Sequence, residues 1–531
     1  MAISTIETSA EQGVLTSGNN LSYWISSVEP IKYDRLDKEL ETDVVIIGGG
    51  ISGMTTAYCL TRSGRKVVLL EDGYIGSGET GRTTAHLVNA LDDLYYALAK
   101  LHGKDNTRLI AESHTAAIDF IEEIVKEENI DCDFKRVEGY LFLHPSDDIK
   151  TLEDELDATH FAGIDTVMMS EVPGITAEEG PSLQYPNQAQ FHPIKYLKAL
   201  AEAVIKQGGL IYTETHAESF HKNEVKANGF TIKANHIVVA TNSPVNDMVT
   251  MHTKQFPYRT YVIAATIPKF VLPAALWWDT GDKRSKWVNR PYNYVRTQEY
   301  NEQYDLLICG GQDHKTGQID AEEVSQQERY SALEDWLVQR FPYVQEVVYK
   351  WSGQVMEPVD SLAFIGRNPG DKTVYIATGD SGNGMTHGTI AGILISDLIN
   401  GKDNAWEKIY DPSRINIKAT GDFVKEVGNM AVQYADFLKP GDVDSAADLR
   451  NNDGGVVTMG LKKVAVYRDA GGILHAYTAV CPHLGCVVQW NSDEKSFDCP
   501  CHGSRFTCEG RVINGPAISD LKEVEIKDNL V

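Results

Sequence analysis

Two regimes of apolar and polar patterning divide this chain. In the first, short unbroken apolar runs alternate with helical stretches. Asp43-Val-Val-Ile-Ile47 and Val67 to Leu70 have the look of parallel strands covered on both faces. Met54 to Arg62 lies between them and reads as a helix that stops at Gly64. Ile237-Val-Val-Ala240-Thr241 and Val374-Tyr-Ile-Ala-Thr378 repeat the strand pattern, and Ala391 to Ile399 closes a helix ending at Gly401. This half predicts an α/β domain. From Asp444 onward the pattern is of short strands, Lys463 to Tyr467 and Ile473 to Ala479, around the turn Asp469-Ala-Gly-Gly472. That end predicts a small all-β domain. Between them, Asn404 to Gly441 is polar, holds Pro412 and Lys439-Pro440-Gly441, and reads as a connector, partly helical near Phe423 to Leu438.

The expected plan is an N-terminal extension over 1–40, an α/β body over 41–402, a connector over 403–440 and a β domain over 441–531. A length of 531 residues is too great for one core, and 42% hydrophobic content supports packed domains. The net charge of −26 argues against nucleic acid and disfavours anionic membranes. Met1 to Asn20 is polar, without an apolar signal core or twin arginine, and no run reaches the length of a membrane span. A cytoplasmic protein without an integral membrane segment is expected.

The first candidate chemistry follows the first strand. Gly48-Gly49-Gly50-Ile51-Ser52-Gly53 joins strand to helix, and the second strand ends in Glu71. This is the G-x-G-x-x-G pattern in its strand–turn–helix setting, with an acid about 20 residues on. Gly48 permits the turn, Gly50 lets the backbone approach a pyrophosphate, and Gly53 allows close helix packing. The helix start at Ile51 and Ser52 offers N–H groups to phosphate, and Glu71 can accept from ribose hydroxyls. Dinucleotide binding follows; the unit alone leaves NAD and FAD open.

The second candidate lies at the other end. Cys481-Pro-His483-Leu-Gly-Cys486 and Cys499-Pro-Cys501-His502-Gly503-Ser504 suit a two-iron cluster, two thiolates on one iron and two imidazoles on the other. A Cys2His2 zinc site is the competing reading. The extra cysteine in each loop, the close-approach glycines Gly485 and Gly503, and Ser504 as a donor to the inorganic core favour iron. Five of the eight cysteines fall between 481 and 508, so they form a local framework.

The segment Cys481 to Phe506 resembles the Rieske family as found in cytochrome bc complexes. The resemblance implies that Cys481 and Cys499 hold one iron and His483 and His502 the other. It implies a disulfide between Cys486 and Cys501, and a proline loop at Gly515-Pro516-Ala517. Phe506 stands where high-potential members carry Tyr, which implies a lower potential. Cys508 is expected to be a small core residue.

Three further segments settle the dinucleotide by resemblance. These are Ile75-Gly-Ser-Gly78-Glu-Thr-Gly81-Arg82-Thr83-Thr84, the strand ending at Thr241, and the loop Gly379-Asp-Ser-Gly382-Asn383-Gly384-Met385-Thr386. Together they resemble the D-amino-acid-oxidase family of FAD oxidoreductases, which includes glycine and sarcosine oxidases. The implied fold is an α/β FAD-binding Rossmann-like domain with an α+β substrate domain, followed by the all-β Rieske domain. The implied cofactors are FAD and a [2Fe-2S] cluster. Thr241-Asn242 departs from the usual Thr-Gly. His86, after Thr83-Thr84-Ala85, matches a position where some members attach the flavin covalently; otherwise it is a lining or core histidine.

Tyr292, Tyr294 and Arg296 alternate, so a strand would aim them one way, as a carboxylate clamp with aromatic cover or as a half-buried strand. Gly310 to Lys315 and Trp351 to Gln354 are polar or turn-like stretches that line the site or form loops. The joined parts predict oxidation of an amine or amino acid at a C–N bond, with electrons passing singly from FAD to the cluster and on to an external acceptor such as a ferredoxin, cytochrome or quinone. Electron flow inward through the cluster to reduce a substrate, and a non-enzymatic redox sensor, are the alternatives. A Rieske oxygenase needs a further two-His, one-carboxylate iron site, for which no group stands out.

Overall fold

The computed structural model describes residues 16–175, 179–245, 251–285, 290–318, 324–416, 418, 428–429, 433, 441, 443, 445–460 and 462–525. The predicted apolar runs become the centre of an eight-stranded sheet. Its spatial order is Phe364–Arg367, Val374–Thr378, Phe230–Val239, Leu40–Ile47, Val67–Leu70 and Leu210–Tyr212, with a hairpin of Ala217–His221 and Glu224–Ala227 at the side. The four central pairings are parallel. Val44 to Ile46 are fully buried, as strands covered on both faces must be. The first helix runs Ile51–Arg62, three residues longer at its start than the periodicity predicts. The glycine turn, rather than an apolar stripe, sets that start: Gly50 is the N-cap.

A nine-stranded mixed sheet forms the second layer, ordered Val347–Pro358, Gln255–Pro268, Tyr304–Lys315, Tyr294–Glu299, Ala275–Asp279, Lys135–Phe142, Ser182–Gln190 and His86–Leu87, with Val167–Met169 paired at its side. The stretch Gly310 to Lys315, expected to be turn-like, is instead the end of a strand, paired with Tyr258 to Val262 on its neighbour. Helix Gly384–Ile399 packs on helix Ile51–Arg62; a Cβ at Gly392 would lie 2.4 Å from the Thr55 methyl, so the absence of a side chain there lets the helices approach closely.

The C-terminal β domain is two small sheets. One joins Asp453–Met459, Lys462–Arg468 and Leu474–Thr478; the other joins Gln489–Asn491, Ser496–Asp498, Arg505–Thr507 and Val512–Asn514. The predicted strands match to within one or two residues. The helical stretch expected near Phe423 to Leu438 lies almost wholly outside the described residues. Residues 16–40 pack closely on the α/β body: Trp24 is fully buried and its Nε1 donates to Thr83 O at 2.6 Å. No helix among the described residues is long and apolar enough to cross a membrane.

Candidate active site

The glycine turn is built as its sequence requires. Gly48 has φ of 107°, and a Cβ there would sit 2.3 Å from Ala240 O on the adjacent strand. A Cβ on Gly53 would lie 1.9 Å from Gly48 O, so the helix meets the turn only through glycine. Glu71 is buried; it accepts from Gly49 N at 2.6 Å and Gly73 N at 2.9 Å. Burial pushes its carboxyl up to about 7, against those hydrogen bonds. Asn242 takes φ of 63°, the left-handed conformation that glycine adopts freely and that Asn tolerates among non-glycine residues.

A cavity of about 260 Å³ runs from Glu71 past both helix N-termini to the second sheet. Of the residues singled out in the sequence, Gly48, Gly50, Ile51, Ser52, Glu71, Arg82, Thr83, Thr84, Thr241, Gly382, Gly384, Met385 and Tyr294 line it. Gly53, Gly81, Gly379, Asn383, Thr386 and His86 stand behind that wall. Thr386 bonds His114 Nδ1 at 2.8 Å, and Asn383 caps the second helix. His86 Nδ1 meets Thr84 Oγ1 at 3.0 Å, and burial with Arg296 nearby drives its pKa down to about 3. Its ring lies edge-on to Tyr294 at 5.5 Å.

The donor chemistry of the cavity fits an anionic dinucleotide. Arg82 is 1% exposed and lines the wall, yet its Nε meets no acceptor among the described residues. A buried guanidinium N–H without a partner suits a phosphate oxygen.

Of the two readings of Tyr292, Tyr294 and Arg296, the structure supports the partly buried strand, Tyr294–Glu299, and not the carboxylate clamp. Tyr294 faces the cavity, 3.3 Å from Thr260 Oγ1, and Tyr292 stacks beside it at 5.2 Å. Arg296 is fully buried elsewhere. Its Nη1 donates to the Ala85 and Phe191 carbonyls at 2.8 and 3.0 Å, its Nε donates to Thr297 O at 3.2 Å, and Nη2 donates to Gln298 Oε1. Those bonds brace the loop after Thr84 and leave the guanidinium no face for a substrate carboxylate.

The loop Gly379 to Gly384 carries Asp380 and meets two acids that the sequence reading missed, Asp92 and Glu357. A Cβ on Gly382 would lie 2.0 Å from Asp92 Oδ2, and one on Gly384 2.5 Å from Asp380 Oδ2. Ser381 Oγ donates to Glu357 Oε2 at 2.8 Å. Burial first, and the neighbouring acids after it, raise Asp92 to about 8; burial raises Asp380 to about 6. Asp92 also accepts a hydrogen bond from Tyr292. Nothing in the local sequence marks Asp92 and Glu357, because the tertiary fold brings them to the loop from distant segments.

The two cysteine–histidine loops are matched turns. Cys481 N donates to Cys486 O at 2.8 Å and Cys499 N to Ser504 O at 2.8 Å. Cys481 and Cys499 are 2% and 1% exposed, and their thiols share a hydrogen bond that lowers Cys481 and raises Cys499. The His483 and His502 rings stand 4.8 Å apart. Cys486 and Cys501 are joined in a disulfide, as the sequence resemblance implied. The sulfurs of Cys486, Cys499 and Cys501 lie within 4.8 Å of one another, but the disulfide leaves that trio a single thiolate. The donor set for a metal group is therefore Cys481, Cys499, His483 and His502, which fits a cluster with one two-sulfur and one two-nitrogen iron. The Ser504 hydroxyl bonds the Cys481 sulfur and accepts from Ala517 N at 3.0 Å, which ties the proline loop over the turns. Phe506 is fully buried in the same core, whereas Cys508 is only half-buried, with Sγ 3.2 Å from Glu509 Oε1.

The two sites share walls. Val512 to Gly515, Ala517 and Ile518 of the C-terminal domain line the cavity beside the glycine turn. Gln354 lines it too, and its Nε2 donates to Gly503 O, next to His502, at 3.0 Å. His252, 1% exposed, places its ring 4.8 Å from His483 and 5.8 Å from His502.

Comparison with known proteins agrees with this geometry. The FAD dependent oxidoreductase family matches residues 43–398, and the Rieske [2Fe-2S] domain matches residues 439–525. YhfW of Bacillus subtilis (strain 168), described as a Rieske 2Fe-2S iron-sulfur protein, is 33% identical over 515 residues, covering 95% of this chain and 97% of that one. Gamma-glutamylputrescine oxidoreductase of Escherichia coli (strain K12) is 25% identical, covering 73% of this chain and 90% of that one. The crystal structure of L-proline dehydrogenase from P. horikoshii superposes with a TM-score of 0.57 at 20% identity, covering 71% of this chain and 98% of that one, and so shares the fold. The chain is an oxidoreductase of the FAD dependent oxidoreductase family, with FAD and, in its C-terminal Rieske domain, a [2Fe-2S] cluster as its cofactors.

Proposed function

We propose that this oxidoreductase removes two electrons from the C–N bond of an amine or amino acid at the flavin and sends them singly through the Rieske cluster to an external acceptor. When bound, FAD supplies two-electron acceptance from a carbon–hydrogen bond and the cluster supplies one-electron carriage. The substrate carbon loses a hydride, its nitrogen loses a proton, and the resulting imine is hydrolysed by water.

In this reading Gly48, Gly50, Ile51 and Ser52 cradle the pyrophosphate, Arg82 neutralises it and Glu71 holds the ribose. Cys481 and Cys499 ligate one iron; His483 and His502 ligate the other. Tyr294 and Thr260 border the substrate space, while Asp92, Asp380 and Glu357 gather carboxyl groups on that side, which suit an ammonium group once they ionise. The likeness to gamma-glutamylputrescine oxidoreductase supports an amine as substrate.

One observation carries the relay: Gln354 lines the flavin cavity and hydrogen-bonds the Gly503 carbonyl beside His502. A single side chain thus reaches from the cavity wall to the loop that carries His502. The test is anaerobic mixing with a panel of amines and amino acids, following flavin bleaching by absorbance and the reduced cluster by EPR. The cluster signal should grow as the flavin reoxidises. Flavin that bleaches while the cluster stays oxidised would refute the relay.

A further inference from the structure

Glu494 lies in the turn between strands Gln489–Asn491 and Ser496–Asp498 and is 0% exposed on its side chain. Its side-chain hydrogen bonds all come from outside the Rieske domain. Oε1 accepts from Arg82 Nη1 at 3.0 Å, Arg259 Nη2 at 2.9 Å and Ser352 Oγ at 2.6 Å. Oε2 accepts from Asn19 N at 2.6 Å and Asn20 N at 3.0 Å. Arg82 is held in addition by the carbonyls of Ser352 and Asn20, each at 2.8 Å. One carboxylate therefore gathers the N-terminal segment, the flavin loop and two strands of the second sheet.

The charges make this contact consequential. Arg82 and Arg259 are both 1% exposed, and Glu494 is the carboxylate to which each is paired among the described residues. Two buried guanidiniums deprived of that carboxylate would face each other in low dielectric, which costs far more than the loss of a surface ion pair. Arg82 also lines the cavity, and its Nε meets no acceptor among the described residues. On the other side of the cavity, the Rieske strand and proline loop form part of the wall; Asn514 Nδ2 donates to Glu79 Oε1 at 3.1 Å, on the flavin loop.

We propose that the Rieske domain is a structural part of the FAD site: Glu494 latches it to Arg82, the loop Val512 to Ile518 closes the cavity, and FAD binding and domain docking stabilise each other. Glu494 is a positioning residue, acting on the dinucleotide through Arg82. The coupling is reciprocal by linkage, so FAD must tighten the Glu494 contact by the same factor that the contact tightens FAD. The inference rests on FAD binding alone and stands or falls independently of the relay.

The first test uses the unaltered chain. Hydrogen–deuterium exchange is measured on protein stripped of FAD and again after FAD is restored, with the cluster in place throughout. The turn around Glu494 does not line the cavity, so slower exchange in the peptide 489–498 on adding FAD supports the coupling. Equal exchange overturns it. The second test is Glu494→Gln, which keeps the shape and removes the charge. FAD should bind about tenfold more weakly or worse, read by flavin fluorescence on titration. A folded variant that keeps its cluster absorption and binds FAD with the wild-type affinity would also overturn the proposal. If the variant does not fold, the exchange experiment decides.

Discussion

Single residues set the chemistry at both centres. Asp92 touches the loop that carries Gly382, and burial holds its pKa at about 8. As pH falls below that value the group takes a proton and loses its charge. A cationic amine should accordingly bind better as pH rises from 7 to 9, seen as a falling KM in wild type. Asp92→Asn should have a higher KM with a flatter pH profile over that range; an unaltered profile would remove Asp92 from substrate binding. Phe506 makes the complementary case for the cluster. It is fully buried among Cys481, Cys499 and their neighbours. Phe506→Tyr adds a hydroxyl where the Rieske resemblance has one bonding a ligand sulfur, so the midpoint potential should rise in an EPR-monitored titration. Some of this scale was legible beforehand: the glycines of the turn, Glu71 and the cysteine–histidine loops carry their chemistry in local spacing. Gln354 was legible only as part of a stretch that lines the site or forms a loop; Asp92, His252 and Glu494 were not, since no local pattern distinguishes an acid or imidazole that acquires its partner from hundreds of residues away.

At the level of elements, the flavin loop and the two cluster loops are rigid because other segments hold them. Trp24 and Trp351 each donate to the backbone of the loop at Arg82 and Thr83, and Arg296 grips Ala85. The disulfide between Cys486 and Cys501 closes a separation of 15 residues. By chain entropy a bridge of that span contributes about 3 kcal/mol. Cys486→Ser should lower the denaturation midpoint of the Rieske domain accordingly and speed loss of its visible cluster absorption, while flavin absorption persists longer. The central strands of the first sheet, the two helices packed on each other beside it and two strands of the all-β end followed from periodicity; the second sheet did not. Gly310 to Lys315 shows why: glycines and polar residues suggest a turn, but pairing with a long neighbouring strand holds the segment extended.

Across the whole molecule, burying acids around one cavity has a thermodynamic signature. Glu71, Asp92 and Asp380 are held at about 7, 8 and 6, all above their ordinary values, chiefly by burial. Unfolded, these groups ionise near pH 4. Their contribution is therefore complete below about pH 4 and is lost as pH rises through 6 to 8, because the unfolded chain then binds fewer protons than the folded one. Protein freed of FAD should show a melting temperature that declines between pH 6 and 9, and Asp92→Asn should shallow that decline. A flat or rising profile would contradict the burial of these carboxylates.

The sequence by itself determined the two cofactors and the local turns and loops proposed to hold them. A glycine turn, a helix start and a pair of short metal-binding loops are local structures, fixed by residues a few positions apart. Only the tertiary structure decided how the centres meet: which tyrosine faces the cavity, that Arg296 braces a loop, and that Glu494 and Gln354 tie the Rieske domain into the flavin wall. The reason is physical. Burial and ion pairing between distant segments depend on where the folded chain excludes water, and that boundary is written in no single stretch of residues.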